Sequence, residues 1–148
     1  MSSAALKQTA EDEIRDLMDR WTNAVRNHDL DTIMSYYAPD IVSYDAIVKL
    51  QFKGIDEYRK HWEYCMTLCS GPMIFDVHEV KVVADGNTAF AYFLSRCGGV
   101  DADGKEQAGW MRGTAGYRRT NGRWQIVHEH FSAPFDMESG KALLGLAP

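Results

Sequence analysis

The segment GYRRTNGRWQIVHEHFSA, residues 116–133, carries the clearest signal for the fold. Two alternating runs meet at Asn121-Gly122, and an Asn-Gly pair between such runs is a strong indication of a two-residue β-hairpin. This turn pairs Thr120 with Arg123 and fixes the register of everything that follows. The segment therefore predicts the last hairpin of an antiparallel sheet.

Two further strand-like segments precede this hairpin. They are residues 73–84, MIFDVHEVKVVA, and residues 88–99, TAFAYFLSRCGG. The turn signals DGN and DADGK separate these segments from each other and from the hairpin. The second half of the chain is therefore predicted to be a meander of four long strands.

The first half has helical periodicity instead. Apolar residues recur every three or four positions between Glu11 and Asn27, and a short second helix is predicted to stop at Pro39. Residues 40–48, DIVSYDAIV, favour a first strand, and residues 55–69 favour a third helix. Helices followed by a long sheet predict an α+β domain in which the helices cover one curved face.

No repeat or long linker divides the chain, so we predict one domain at 11–136. Residues 1–10 are expected to form a flexible extension, and residues 137–148 are expected to form a tail. Whether this tail covers a pocket or packs on the outside is left open.

Composition excludes several classes of partner. The chain has 148 residues, of which 45% are hydrophobic and 25% charged, and its formal net charge is −5. This charge offers no basic surface for nucleic acid or for a membrane. No leader-like or membrane-spanning stretch is recognisable, so a cytoplasmic protein is expected.

Three cysteines, a number too small for a disulfide framework, are expected to be reduced. His61, Cys65 and Cys69 follow one another at four-residue spacing and would share one stripe of a helix. A structural zinc site needs four ligands, and the spacing supplies no fourth. We therefore expect buried thiols beside a histidine, with no metal and no cofactor.

Several short motifs occur in a recognisable order. They are LMDRW at 17–21, YYAPDIVSYD at 36–45, FKG at 52–54 and GRW at 122–124. In this order the chain resembles the nuclear transport factor 2-like superfamily, in particular ketosteroid isomerases and SnoaL-like polyketide cyclases. The resemblance implies a cone-shaped α+β barrel, with three helices on a curved, mostly antiparallel (mixed) sheet. It also implies one deep apolar pocket and a homodimer formed through the sheet face.

The resemblance to the isomerases places the catalytic base at Asp45. The tyrosine that donates to the substrate oxygen falls on Trp21, its supporting tyrosines fall on Tyr37 and Trp62, and the second aspartate falls near Thr114. The catalytic base of the isomerases is therefore present in this chain, but the residues that donate hydrogen bonds to the substrate oxygen differ. Because loss of such a donor slows the reaction, an efficient steroid isomerase is not expected. The alternative for Asp45 is an ordinary surface aspartate at the end of a strand.

Regular pairing in the last hairpin places Thr114 opposite Glu129 and Arg112 opposite Phe131. With Val127, these residues would share one face, and the resemblance places that face inside the pocket. Arg112 could pair with Glu129 or bind a ligand, and an ordinary cross-strand salt bridge is the alternative.

His128 and His130 are then predicted on the opposite face, together with Tyr117, Ile126 and Ser132. A metal site there would need a ligand from residues 76–79 on another strand. A one-residue bulge would exchange the two faces and make these histidines the acid and base of the pocket.

The expected function is binding of a small carbonyl-containing, polycyclic or aromatic molecule. Proton transfer without a cofactor is the expected chemistry, and a non-catalytic binding module or a dimeric assembly domain is the alternative. The predicted catalytic residues are Asp45, Trp21, Arg112 and Thr114. The predicted ligand-binding residues are Tyr37, Trp62, Met66, Trp110, Val127, Glu129 and Phe131.

Overall fold

A computed structural model describes residues 1–69 and 71–148 of the chain. In chain order its elements are α1 (Ser3–Arg26), α2 (Leu30–Ser35), β1 (Tyr37–Tyr44), β2 (Phe52–Lys53), α3 (Ile55–Thr67), β3 (Met73–Asp85), β4 (Thr88–Val100), β5 (Glu106–Thr120) and β6 (Arg123–Ser132). The α+β class and the order of elements are those that the sequence predicts. Within the described ranges, no helix has the length and apolar character needed to cross a bilayer.

Helix α1 starts at Ser3 rather than at Glu11. The side chain of Ser2 caps it by accepting a hydrogen bond from the backbone N–H of Ala5 at 3.1 Å. Most of the segment expected as a flexible extension is therefore helical. The predicted apolar stripe of α1 is buried, and it comprises Ile14, Leu17, Met18, Trp21 and Val25.

The six strands form one mixed sheet in the order β2-β1-β6-β5-β4-β3. Strands β3 to β6 pair antiparallel, whereas β1 pairs parallel with β6 and antiparallel with β2. Strands β2 and β3 stand at the two edges, so the sheet is not closed. Helix α1 packs against β3 and α3 against β1, which leaves room between α3 and the inner face of the sheet.

The last hairpin contains a one-residue bulge that the regular register did not include. Thr120 pairs with Arg123 as predicted, and Tyr117 pairs with Ile126, but Gly116 pairs with His128. Val127 is therefore the extra residue on β6. Because of this shift every later pair differs from the predicted one by one position.

Because of this bulge, two predicted catalytic residues lie on the outer face of the sheet and not on the predicted inner face. Thr114 lies opposite His130, and Arg112 lies opposite Ser132. Both Arg112 and Thr114 are exposed on the outer face of the sheet, where neither can act in an interior pocket. Tyr117 and Ile126, predicted on the outer face, are instead buried in the core.

The tail packs along the edge of β5 that β6 leaves open. The carbonyl of Leu144 accepts a hydrogen bond from the N–H of Trp110 at 3.0 Å. Gly109 makes room for this contact, since a Cβ there would lie 2.7 Å from Leu144 Cβ. Trp110, predicted to bind ligand, lies on the outer face against His78 with ring centroids 5.0 Å apart.

Candidate active site

An apolar cavity of about 160 Å³ lies between α3 and the inner face of the sheet. Its lining residues are Val25, Asp45, Ile47, Tyr58, Trp62, Cys65, Met73, Phe75, Cys97, Met111 and Phe131. Asp45 is the one carboxylate among them. A single acid in an otherwise apolar cavity is typical of a site that binds and reacts with an organic molecule.

Asp45 stands at the mouth of this cavity, directly after the end of β1. One carboxylate oxygen accepts a hydrogen bond from the backbone N–H of Ala46 at 2.6 Å, and the other is hydrogen-bonded to His61 Nε2. The side chain is 20% exposed and also lines an open groove of about 680 Å³. Asp45 therefore lies where the cavity and the groove meet, with its orientation fixed by two partners.

His61 holds the carboxylate from inside the protein. It lies on α3 with its side chain buried, and its ring stacks on Phe52 at a centroid distance of 4.0 Å. With its proton on Nε2, the imidazole donates to Asp45. Burial and stacking leave the ring little freedom, so the Asp45–His61 pair is preorganised.

A second polar cluster lies deeper, around the buried carboxyl of Glu129. Tyr37 donates to its two oxygens at 2.9 and 3.0 Å, and Tyr58 donates to Oε2 at 2.7 Å. Burial, with a smaller contribution from the negative charge of Asp45, raises the pKa of Glu129 to about 8 against the lowering effect of the two phenols. The indole N–H of Trp21 donates to the Tyr37 hydroxyl at 3.0 Å and completes the cluster.

Two hydrogen-bond donors belong to the cavity wall. Tyr58 lines the cavity and also bonds Glu129. Trp62 lines it as well, and its buried indole N–H has no hydrogen-bond partner among the residues the structure describes. A buried donor without a partner costs free energy, but this nitrogen is not exposed to the cavity, so a ligand carbonyl would reach it only if the indole ring moved. The indole N–H of Trp21, by contrast, is already bonded to Tyr37.

Asp45, His61 and Cys65 place one possible metal-ligand atom each within 4.8 Å of one another. Cys65 Sγ is 3.5 Å from His61 Nε2, the same nitrogen that is bonded to Asp45, so a metal would have to replace that hydrogen bond. Burial and the charge of Asp45 raise the pKa of Cys65 to about 11, which favours the thiol. Cys69, the third member of the predicted stripe, is turned toward the carbonyl of Gly71.

The other predicted site residues lie at several depths. Phe131 lines both cavity and groove, and exposed His130 lines only the groove. Met66 packs against the core but is not part of the cavity lining, and Val127 is the half-buried bulge residue. His128 is half-buried, and its Nδ1 is hydrogen-bonded to the carbonyl of Val42 at 2.6 Å.

Several lining residues were not singled out by the sequence. Met73 and Phe75 come from β3, Cys97 from β4 and Met111 from β5. Each occupies an ordinary apolar strand position, and the alternating pattern signals burial without separating a cavity wall from a filled core. The sequence pattern is enough to predict that these residues are buried. Predicting that they lie side by side around one cavity requires the register of the strands.

The SnoaL-like domain family matches this chain over residues 14–136. The match spans most of the chain, including both strands of the last hairpin and the helix that carries His61. The protein therefore belongs to the SnoaL-like domain family. No curated protein matches the chain at a significant level.

Solved structures share the same fold. A nuclear transport factor 2-like protein of unknown function from Pseudomonas putida is 52% identical, with a TM-score of 0.90 over 95% of this chain and 98% of that chain. A superfamily member from Salmonella enterica is 19% identical, with a TM-score of 0.74 over 91% and 98%. A dehydratase candidate from Streptomyces avermitilis is 17% identical, with a TM-score of 0.75 over 85% and 97%. The last two likenesses show the fold alone.

Proposed function

We propose that this protein binds a small carbonyl compound in the cavity and transfers a proton on it, with Asp45 as the base and without a cofactor. The observation that carries the proposal is the position of the Asp45 carboxylate, held by His61 at the mouth of an apolar cavity. A carboxylate in such surroundings can take a proton from carbon if the charge that develops on the carbonyl oxygen is stabilised.

The proposed step begins with removal of a proton from the carbon next to the carbonyl. The C–H bond breaks, the proton goes to Asp45, and the electron pair forms an enolate with its charge on oxygen. Gln51 and His130 replace the donors expected from the sequence, because both line the groove that adjoins Asp45. Return of the proton to the same carbon completes an exchange, and its return to a different carbon of a conjugated enolate completes an isomerisation. In a dehydration, the C–O bond on the next carbon breaks instead, and the hydroxyl takes the proton from Asp45 and leaves as water.

The function is tested by deuterium exchange. Enolisable ketones ranging from phenylacetone to a steroid ketone are incubated in D₂O, and NMR measures the loss of the proton next to the carbonyl. Asp45→Asn is expected to lower the enzymatic exchange rate about a hundredfold or more. Asp40→Asn is the matched control, because Asp40 is an exposed aspartate on the same segment that pairs with Arg118. Equal exchange by wild type and Asp45→Asn would contradict the proposal.

The alternative function is binding without chemistry. It would be indicated by a ligand that binds with similar affinity to wild type and Asp45→Asn and that neither protein exchanges. Gln51 and His130 in the groove are compatible with either function, since a bound carbonyl needs a donor whether or not it reacts.

We also propose a homodimer through the outer face of the sheet. Support comes from three apolar side chains on β3 and β4, Val83, Phe90 and Tyr92, which are 47%, 46% and 48% exposed. Adjacent exposed apolar groups are typical of a surface that binds another protein. Light scattering should show a dimer that Tyr92→Glu dissociates and that Tyr64→Glu, on exposed α3 surface, leaves intact. A wild-type monomer at micromolar concentration would exclude the dimer.

A further inference from the structure

We infer that the ligand has two parts, a single aromatic ring that fills the cavity and a short polar arm that lies in the adjoining groove. The arm carries the carbonyl, and the reacting carbon lies between ring and carbonyl. This inference names the substrate class of the proposed function and, for the position of the reacting carbon, rests on it.

The size of the cavity limits the ring system. An apolar cavity of about 150 Å³ holds one benzene molecule. The cavity here has about 160 Å³, so we place one six-membered ring inside it and any fused second ring outside it. A ligand with a single ring is therefore preferred to the polycyclic ligand that the sequence left open.

The chemistry of the cavity wall favours an aromatic ring over a saturated one. Trp62, Phe75 and Phe131 supply aromatic faces and edges. Met73 and Met111 supply thioether sulfur, which makes favourable contacts with aromatic rings. A saturated ring of similar volume fills the same space but gains neither the aromatic pairing nor the sulfur contacts.

The groove supplies the second part of the site. Asp45 and Phe131 line both spaces, so the cavity and the groove adjoin at these two residues. Farther along, the groove is lined by Lys49, Gln51 and His130, which can bond a polar group.

The position of Asp45 at the junction fixes where the reacting carbon lies. With the ring inside the cavity, the carboxylate can reach only the first atoms outside the ring. The ligand class is therefore an aryl-substituted ketone or keto acid in which a CH₂ group separates the ring from the carbonyl.

The test uses methionine methyl groups as reporters. In protein with ¹³C-labelled methionine methyls, Met73 and Met111 report on the cavity, whereas exposed Met1 and Met137 serve as internal controls. The probes are phenylacetone, naphthylacetone and cyclohexylacetone. Phenylacetone should shift the Met73 and Met111 signals and leave the controls unchanged, and the other two probes should bind at least tenfold more weakly.

A cavity-enlarging variant extends the test. Met111→Ala should improve the affinity of naphthylacetone relative to phenylacetone, read from the Met73 signal, whereas Met137→Ala should not. If wild type binds naphthylacetone as tightly as phenylacetone, or if no probe shifts Met73, the inference is overturned. If phenylacetone binds as expected but is not exchanged, the ligand class stands and the proposed proton transfer fails.

Discussion

Tyr58 donates a hydrogen bond to Oε2 of Glu129 at 2.7 Å, and the same side chain forms part of the cavity wall. One phenol therefore connects the ligand space with a buried carboxyl whose pKa is raised to about 8. The protonation of Glu129 decides whether Tyr58 donates to a charged carboxylate or to a neutral acid, and so changes the strength of that hydrogen bond. Stability and ligand binding should thus both depend on pH in the neutral range.

Glu129→Gln should remove part of the pH dependence of stability. The folded-state pKa of about 8 lies above the ordinary value of 4.5, so the folded protein keeps a proton that the unfolded chain releases in between. The free energy of unfolding of wild type should therefore fall as pH rises from 5 to 8, by roughly 1.4 kcal/mol for each unit of pKa difference. Urea denaturation at pH 5.5 and 8.5 should show the glutamine variant gaining on wild type at the higher pH. A constant difference between the two proteins would contradict the raised pKa.

Tyr58→Phe and Tyr37→Phe should separate stability from ligand binding. Each removes a donor from Glu129 and should lower the free energy of unfolding by about 1–3 kcal/mol above pH 8, where the carboxylate is charged. Only Tyr58 lines the cavity, so Tyr58→Phe should weaken ketone binding more than Tyr37→Phe. Denaturation and binding measured on both variants check this, and equal effects on binding would show that Tyr58 does not contact the ligand.

Gln51→Leu should slow exchange while leaving the cavity wall unchanged. Gln51 lines the groove beside Asp45 and is not part of the cavity lining, so the loss reports on a donor to the ligand oxygen rather than on packing of the cavity. Removing one donor to a developing oxyanion typically costs about a hundredfold in rate. Trp110→Phe on the outer face is the control, and its exchange rate should match that of wild type. Unchanged exchange in Gln51→Leu would mean that another group holds the carbonyl oxygen.

Two glycines on β5 should respond differently to an added methyl group. At Gly113 a Cβ would lie 2.4 Å from the ring of Phe93, whereas at Gly116 the nearest atom is 3.7 Å away. Gly113→Ala should therefore cost about 1–3 kcal/mol of stability through overpacking, and Gly116→Ala should change it little. Thermal denaturation of the pair checks the packing of the inner face, and an equally tolerant Gly113 would show that Phe93 has room to move.

The helices and strands were predictable because each of them is determined by a local pattern in the sequence. Periodicity identified the long helices and strands, and Asn121-Gly122 identified the final turn and its first pair. The bulge at Val127 has no comparable signal, because whether a residue bulges depends on which side chains the sheet must bury on each face. The faces of Arg112 and Thr114 were wrong for this reason.

The candidate site was predictable only in part. Asp45 was selected through a resemblance, and the structure places it at a cavity mouth. Its partner His61 lies 16 residues away on another element, and their contact depends on how α3 packs against β1. The hydrogen-bond partners of Glu129 were likewise not predictable from the sequence. Its burial was suggested, but its carboxyl is bonded to Tyr37 and Tyr58 instead of Arg112.

The C-terminal tail, residues 137–148, also covers part of the open edge of strand β5. Strand β6 ends at Ser132, which pairs with Arg112, so the part of β5 that precedes Arg112 has no neighbour on this side from β6. There the carbonyl of Leu144 accepts a hydrogen bond from the backbone N–H of Trp110. Open strand edges invite pairing with other chains, which leads to aggregation. The backbone contact of Leu144 therefore guards against self-association by strand addition. Removal of residues 137–148 is therefore expected to make the protein aggregate on storage before it alters ligand binding in the cavity.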